Sequence, residues 1–314
     1  MSESAADRDL LARDLPIATA PAAAETPFRR FVSEFFESKL AVLGLAVFTV
    51  IALVAILAPW IAPQNPYDLA VLDIMDGRLE PGARNGDNTM TYWLGTDDQG
   101  RDMLSAIMYG LRISLSVGAG SALIAAMVGA SLGLLAAYAG GRTDSAIMRL
   151  VDLQLSFPAI LVALMILAFL GKSVMNVVIA IVVVEWAYYA RTVRGTALVE
   201  RRREYIEAAQ CLALPTHRIL FRHLLPNCLP PLIVIGTMQV ARAIALEATL
   251  SFLGLGVPIT EPSLGLLIAN GYEYMLSGKY WISFYPGIAL LITIVSINLV
   301  GDHLRDVLNP RLKK

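Results

Sequence analysis

Six apolar runs divide the chain, each near the length of about 20 residues that a helix needs to cross hydrocarbon. They occupy residues 40–61, 113–138, 147–170, 174–192, 229–252 and 282–300, and each predicts a transmembrane helix. The first closes on APWIAPQNP, whose prolines end a helix. A tight polar turn, AGGRTDSAIMR, joins the second run to the third, and GKSVMN joins the third to the fourth. Longer polar stretches fill residues 62–110, the region around 195–228, and 253–281.

Lysine and arginine separate between the two ends of these runs. One side collects Arg29, Arg30, Lys39, Arg142, Arg149, Arg191, Arg194, Arg201, Arg202, Arg203, Arg305, Arg311, Lys313 and Lys314. The other holds Lys172, Lys279 and a few arginines within a long acidic segment. Basic loops stay in the cytoplasm, so an even number of spans places both termini inside. The fold class expected is an all-α polytopic membrane protein with six spans, N-in and C-in.

Composition agrees. Apolar residues make up 56% of the chain and charged residues 16%, with a net charge of −1, so the distribution of charge carries the information and its total does not. The second run, GAGSALIAAMVGASLGLLAAYAGG, is rich in small residues that let helices approach closely in lipid, which suits a central packing helix. Residues 1–27 lack the apolar core of a cleavable signal and read as a cytoplasmic tail. FRRFVSEFF, at 28–36, reads as an amphipathic surface helix or a plain linker. The only cysteines, Cys211 and Cys228, fall in or beside a cytoplasmic loop where thiols stay reduced. No Cys/His cluster has metal-ligand spacing, and no GxxxxGK[ST], HExxH or GxSxG pattern occurs. Catalytic, cofactor-binding and metal-binding residues are therefore expected to be absent.

The most informative loop runs from 204 to 227, EYIEAAQCLALPTHRILFRHLLPN. Residues 204–212 hold good helix formers and the small pair Ala208 and Ala209; Pro215 interrupts, and 216–225 resumes as a second helical piece. A short alanine-faced helix offered to the cytoplasm suits docking of a soluble partner. The segment resembles the EAA loop of permease subunits in ATP-binding-cassette importers. Glu207, Ala208 and Ala209 supply the EAA; Leu224, Leu225 and Pro226 supply the hydrophobic–Leu–Pro ending. Ala213 stands where that family usually has glycine.

Further segments resemble the C-type subunit of dipeptide/oligopeptide permeases: KLAVLGLAVFTVIALVAILAPWIAPQNPYD, WLGTDDQGRDMLSAIMYGLRISLSVG, RLVDLQLSFPAIL, LSFLGLGVP and GDHLRDVLNPR. The resemblance runs from about residue 28 to the end. It implies a type I importer in a bacterial inner membrane, with ATP and Mg on partner subunits and no nucleic acid involved. The implied partners are a homologous second permease subunit, two cytoplasmic ATPase subunits and an extracytoplasmic substrate-binding protein. The chain then divides into a cytoplasmic tail and juxtamembrane segment (1–39), a first span with a long outer segment (40–110), the five-helix transmembrane domain with its coupling loop at about 195–228 (111–302), and a cytoplasmic tail (303–314). Coupling to the ATPases falls to Glu207, Ala208, Ala209, Ala213, Arg218 and Arg222. Di/oligopeptides are the expected cargo; nickel complexes, opines and modified sugars are alternatives within the family.

Charges inside spans cost a few kcal/mol each and need a reason. Arg242 and Glu247 in the fifth run admit two readings, lining of the substrate path or structural pairing; Glu247, just ahead of LSFLGLG, favours pairing. Glu185 lies in the fourth run. Asp152 beside Arg149 reads as a salt-bridged boundary residue. The rival class is a self-contained secondary carrier or channel, which usually shows repeated halves with ion-binding groups at the midplane; no repeat is visible here.

Overall fold

The computed structural model describes residues 27–68 and 72–308. Most of the expected N-terminal tail lies outside the described residues, as do the last six residues with Arg311, Lys313 and Lys314. Apart from a small cap, the described residues are mostly helical: α1 (Pro27–Glu37), α2 (Lys39–Ile61), α3 (Met103–Ala139), α4 (Gly141–Ser156), α5 (Ala159–Leu170), α6 (Val174–Glu200), α7 (Glu204–Cys211), α8 (Thr216–Phe252), α9 (Leu264–Tyr272) and α10 (Trp281–Leu308).

Among the described residues five helices are long and apolar enough to span a bilayer, α2, α3, α6, α8 and α10, and a bent pair makes six if it counts as one span. The third apolar run corrects the expectation of a straight span. It is two helices, α4 and α5, bent by 92° at Phe157–Pro158. Proline lacks an N–H and disfavours helical backbone in the residue before it, and Phe157 is extended at φ −94°, ψ 142°. The helices also outrun the apolar runs. α6 continues beyond 192 to Glu200, and α8 begins at Thr216 inside the polar loop.

α3 is the central helix, and its contact with α6 is the most extensive in the molecule. Small residues explain it. A Cβ on Gly129 would fall 2.6 Å from Tyr189 Cβ and 2.9 Å from the Ala190 nitrogen, so only glycine allows this approach. α8 packs on α3 about three turns away along the same glycine face, where Gly118 receives Ile244. α1 packs against the end of α10: buried Phe35 meets the His303 ring at 5.3 Å.

Residues 72–102, before α3, fold into a cap at one end of the bundle. A two-residue hairpin pairs β1 (Ala83–Arg84) with β2 (Thr91–Tyr92). Tyr92 donates to the buried Asp76 carboxylate at 2.9 Å, and the Trp281 indole donates to the Thr96 carbonyl at 3.2 Å, tying the cap to α10. Asp102 caps α3 by accepting from Ser105 N at 2.9 Å. Asp97 accepts from the Gln99 and Arg101 nitrogens at 2.9 Å each. Burial lifts its pKa to about 6 against the lowering influence of Arg101.

Candidate functional site

The loop between α6 and α8 is an anchored hairpin. The Arg201 guanidinium donates to the Ala137 carbonyl at 2.9 Å, satisfying an orphan acceptor at the end of α3. Tyr205 donates to Glu200 at 3.0 Å, and burial followed by that bond pushes its pKa up to about 12. α7 then lays Ile206 and Ala209 onto Leu134, Ala137, Val193 and Ala197 at one end of α3 and α6.

α7 ends in a Schellman motif. Leu214 N donates to Ala209 O at 3.2 Å and Ala213 N to Gln210 O at 2.9 Å, with Ala213 left-handed at φ +50°. Alanine thus occupies the position that glycine fills with least strain, and the turn closes regardless because Leu214 packs into the same apolar cluster as Ala209. Pro215 then opens α8. A π turn at Ile219–Leu224 follows, directing Ile219, Leu220 and Leu224 inward.

The structure divides the residues expected on the docking face. Glu207, Ala208, Ala213, Arg218 and Arg222 are exposed. Ala209 is not: at 4% exposure it belongs to the packing interface, a correction to the expectation that both alanines face outward. The reason is helical spacing, since Ile206 and Ala209 lie three apart on one face while Ala208 points away. Arg218 and Arg222 make no ion pair among the described residues.

The charges within the spans have separate fates. Glu247 is 0% exposed, with Ser114 donating to it at 2.8 Å and Ser251 at 2.7 Å, so it joins α8 to α3 and lines no open path. Arg242 is exposed; its guanidinium lies 4.9 Å from the Tyr188 ring centre and donates to Gln239 Oε1 at 3.3 Å. Glu185 is buried, and Oε2 has no hydrogen-bond partner. Asp152 pairs with Arg191 of α6 and not with the adjacent Arg149; Arg194 binds Asp144 in parallel through two nitrogens, the second at 2.6 Å. Both pairs join α4 to α6. Sequence reasoning missed the neighbourhood of Glu185 and Arg242, because helices distant along the chain create it.

Comparison with known proteins places this architecture. A family model described as "Binding-protein-dependent transport system inner membrane component" matches residues 129–314, and one for the "N-terminal TM domain of oligopeptide transport permease C" matches residues 26–81. The di/tripeptide transport system permease protein DppC of Pseudomonas aeruginosa is 38% identical over 92% of this chain and 93% of its own length. The dipeptide transport system permease protein DppC of Escherichia coli is 39% identical over 92% and 95%. Among solved structures, a chain of the inward-facing MetNI methionine ABC transporter aligns with 66% of this chain and 98% of its own. Its TM-score is 0.54 at 20% identity, a likeness of fold. These matches set aside the self-contained carrier: the chain belongs to the binding-protein-dependent transport system inner membrane components, and is a multi-pass inner-membrane permease of an ABC importer.

Proposed function

We propose that this chain is the C-type permease subunit of a di/oligopeptide importer and that the α6–α8 hairpin is where ATPase subunits dock. It forms half of the translocation path beside a homologous second permease and takes solute from an extracytoplasmic binding protein. ATP and Mg stay on the two cytoplasmic ATPases. Both termini and the hairpin lie on the cytoplasmic side. The names of the relatives support a peptide cargo.

One observation carries the coupling role. Glu207, Ala208 and Ala213 project from a short helix whose other face is fixed to the ends of α3 and α6. A narrow outer face of small residues beside the Glu207 carboxylate lets a groove close on it; a packed inner face transmits force to the spans. Closure of the ATPases around ATP then draws the hairpin inward, and rigid α3 and α6 carry the motion outward. That is alternating access driven by differential binding in two states. Arg218 and Arg222 add charge for acidic groups on the ATPase.

Ala208→Lys tests this reading. The variant is expected to insert and pair normally while losing ATPase co-purification and uptake. Ala209→Lys serves as contrast, since it buries a charge in the packing cluster and lowers stability. Wild-type uptake and ATPase recovery with Ala208→Lys would refute docking at this face.

A further inference from the structure

α5 has 12 residues and is about 18 Å long, too short to cross a hydrocarbon core of about 30 Å. With the extended Phe157 and Pro158 it reaches about 25 Å from the Gly171 turn. There the chain turns through 92° into α4. The ion pairs give the same depth independently. Arg191 and Arg194 lie about 26 and 30 Å along α6 from its first residue, Val174, and they hold Asp152 and Asp144 of α4. α4 therefore lies across the bundle at the edge of the hydrocarbon, at the end that carries the hairpin.

The exposed face of α4 is ordered as a membrane surface requires. At about 100° per residue, six exposed residues follow one another around the helix as Leu150, Leu153, Arg142, Arg149, Ser156 and Ser145. Apolar side chains come first, then two cations, then hydroxyls. A helix lying in the interface meets hydrocarbon, headgroups and water in that order. Thr143, in the first turn, is the exception on the apolar side. Leu150 and Leu153 are 56% and 60% exposed, whereas Val151 on the opposite face is buried in the cluster of Trp186, Tyr189 and Ala190 of α6. Charge narrows the choice of what covers the exposed face. The α6 arginines neutralise both aspartates of α4. Arg142 and Arg149 remain, exposed and without an ion pair among the described residues. Two free cations beside an apolar strip at this depth complement an anionic lipid.

We propose that α4 is an in-plane helix of the inner leaflet covered by anionic phospholipid, with lipid phosphates on Arg142 and Arg149 and acyl chains against Leu150 and Leu153. The third run then crosses the bilayer through α5 alone. Two ion pairs fasten the lipid-bound helix to α6, the helix that leads into the hairpin. The choice of leaflet rests on the permease reading, which puts the hairpin in the cytoplasm; the depth of α4 does not.

The test uses the transporter expressed with its sister permease and ATPases, reconstituted in equal parts of phosphatidylcholine and phosphatidylglycerol. A Cys211→Ser background suffices, since Cys228 is buried. Spin labels on Leu150→Cys and Ser145→Cys should separate: oxygen relaxes the first severalfold more than a water-soluble nickel chelate does, and the second shows the reverse. A benzophenone on Leu153→Cys should capture phosphatidylglycerol severalfold over phosphatidylcholine. Arg142→Gln together with Arg149→Gln should remove that preference, and lysine at both positions should keep it. Equal nickel access at the two spin labels would put α4 in water and overturn the proposal. Capture of the sister permease in place of lipid would overturn it too, as would lipid capture without preference. Failure of the ATPases to co-purify with the wild-type chain would instead sink the permease reading and leave the depth order standing.

Discussion

Gly129 offers the sharpest check on how the bundle is held together. It faces α6 where the two backbones run closest. An alanine Cβ there would stand 2.6 Å from Tyr189 Cβ and 2.9 Å from Ala190 N, and nearer still to the Trp186 carbonyl oxygen, where ordinary contact starts near 3.4 Å. Two of these neighbours are backbone atoms and cannot rotate away, so α3 and α6 must part by most of an ångström. Overpacking of this kind costs about 1–3 kcal/mol. Gly120, on the same helix, has nothing within 4 Å of its would-be Cβ. Gly120→Ala is therefore neutral, or gains up to about 1 kcal/mol from helix propensity. The assay is the thermal midpoint of each purified variant in one detergent, followed by intrinsic tryptophan fluorescence, since Trp186 lies in the affected cluster. Gly129→Ala should melt several degrees below wild type and Gly120→Ala should not. Equal midpoints for the two variants would refute the claim that close backbone approach holds this seam.

Three other outcomes are expected. Ala213→Gly removes the left-handed strain of a φ of +50°, worth about 1–2 kcal/mol for a residue with a Cβ; hydrogen exchange across residues 209–216 should slow, and unchanged exchange would speak against a strained turn. Glu247→Leu strands the Ser114 and Ser251 hydroxyls inside the bundle at about 1–3 kcal/mol, whereas Glu247→Gln keeps a partner for each; a detergent melt that ranks leucine at or above glutamine would contradict this. Asp97 titrates near pH 6, above the ordinary carboxylate value, so the folded cap binds its proton more tightly than the unfolded chain. Lowering the pH from 6 toward 4 should stabilise the cap, and raising it through 6 should remove that contribution. Rate-corrected hydrogen exchange of residues 95–102 reads the trend, and Asp97→Asn should flatten it.

The chain announced its class through two local properties, run length and the placement of basic residues. Hydrocarbon accepts only long apolar helices and positive charge stays inside, so 40–61 matched α2 closely, 282–300 marked the start of α10, which runs on to Leu308, and the hairpin appeared as a polar interruption with Pro215 at its break. The departures have one cause. Where a helix ends, which side of it is covered and whom a charge meets depend on residues far away in sequence. Apolar content gave no hint that Pro158 turns the third run through 92°, because a bent and a straight helix share one composition. The alanine pair carried no sign that Ala209 would be covered and Ala208 free; the position of α3 and α6 beneath α7 decided that. Asp152 had Arg149 beside it in sequence yet found Arg191 across the bundle. The sequence favoured pairing for Glu247 but could not name a partner; packing supplied it, since α3 brought Ser114 to Glu247 while Arg242 stayed exposed over the Tyr188 ring. Solvent preference is written residue by residue and can be read along the chain. Neighbourhood is a property of the whole packed bundle, and only its geometry supplies it.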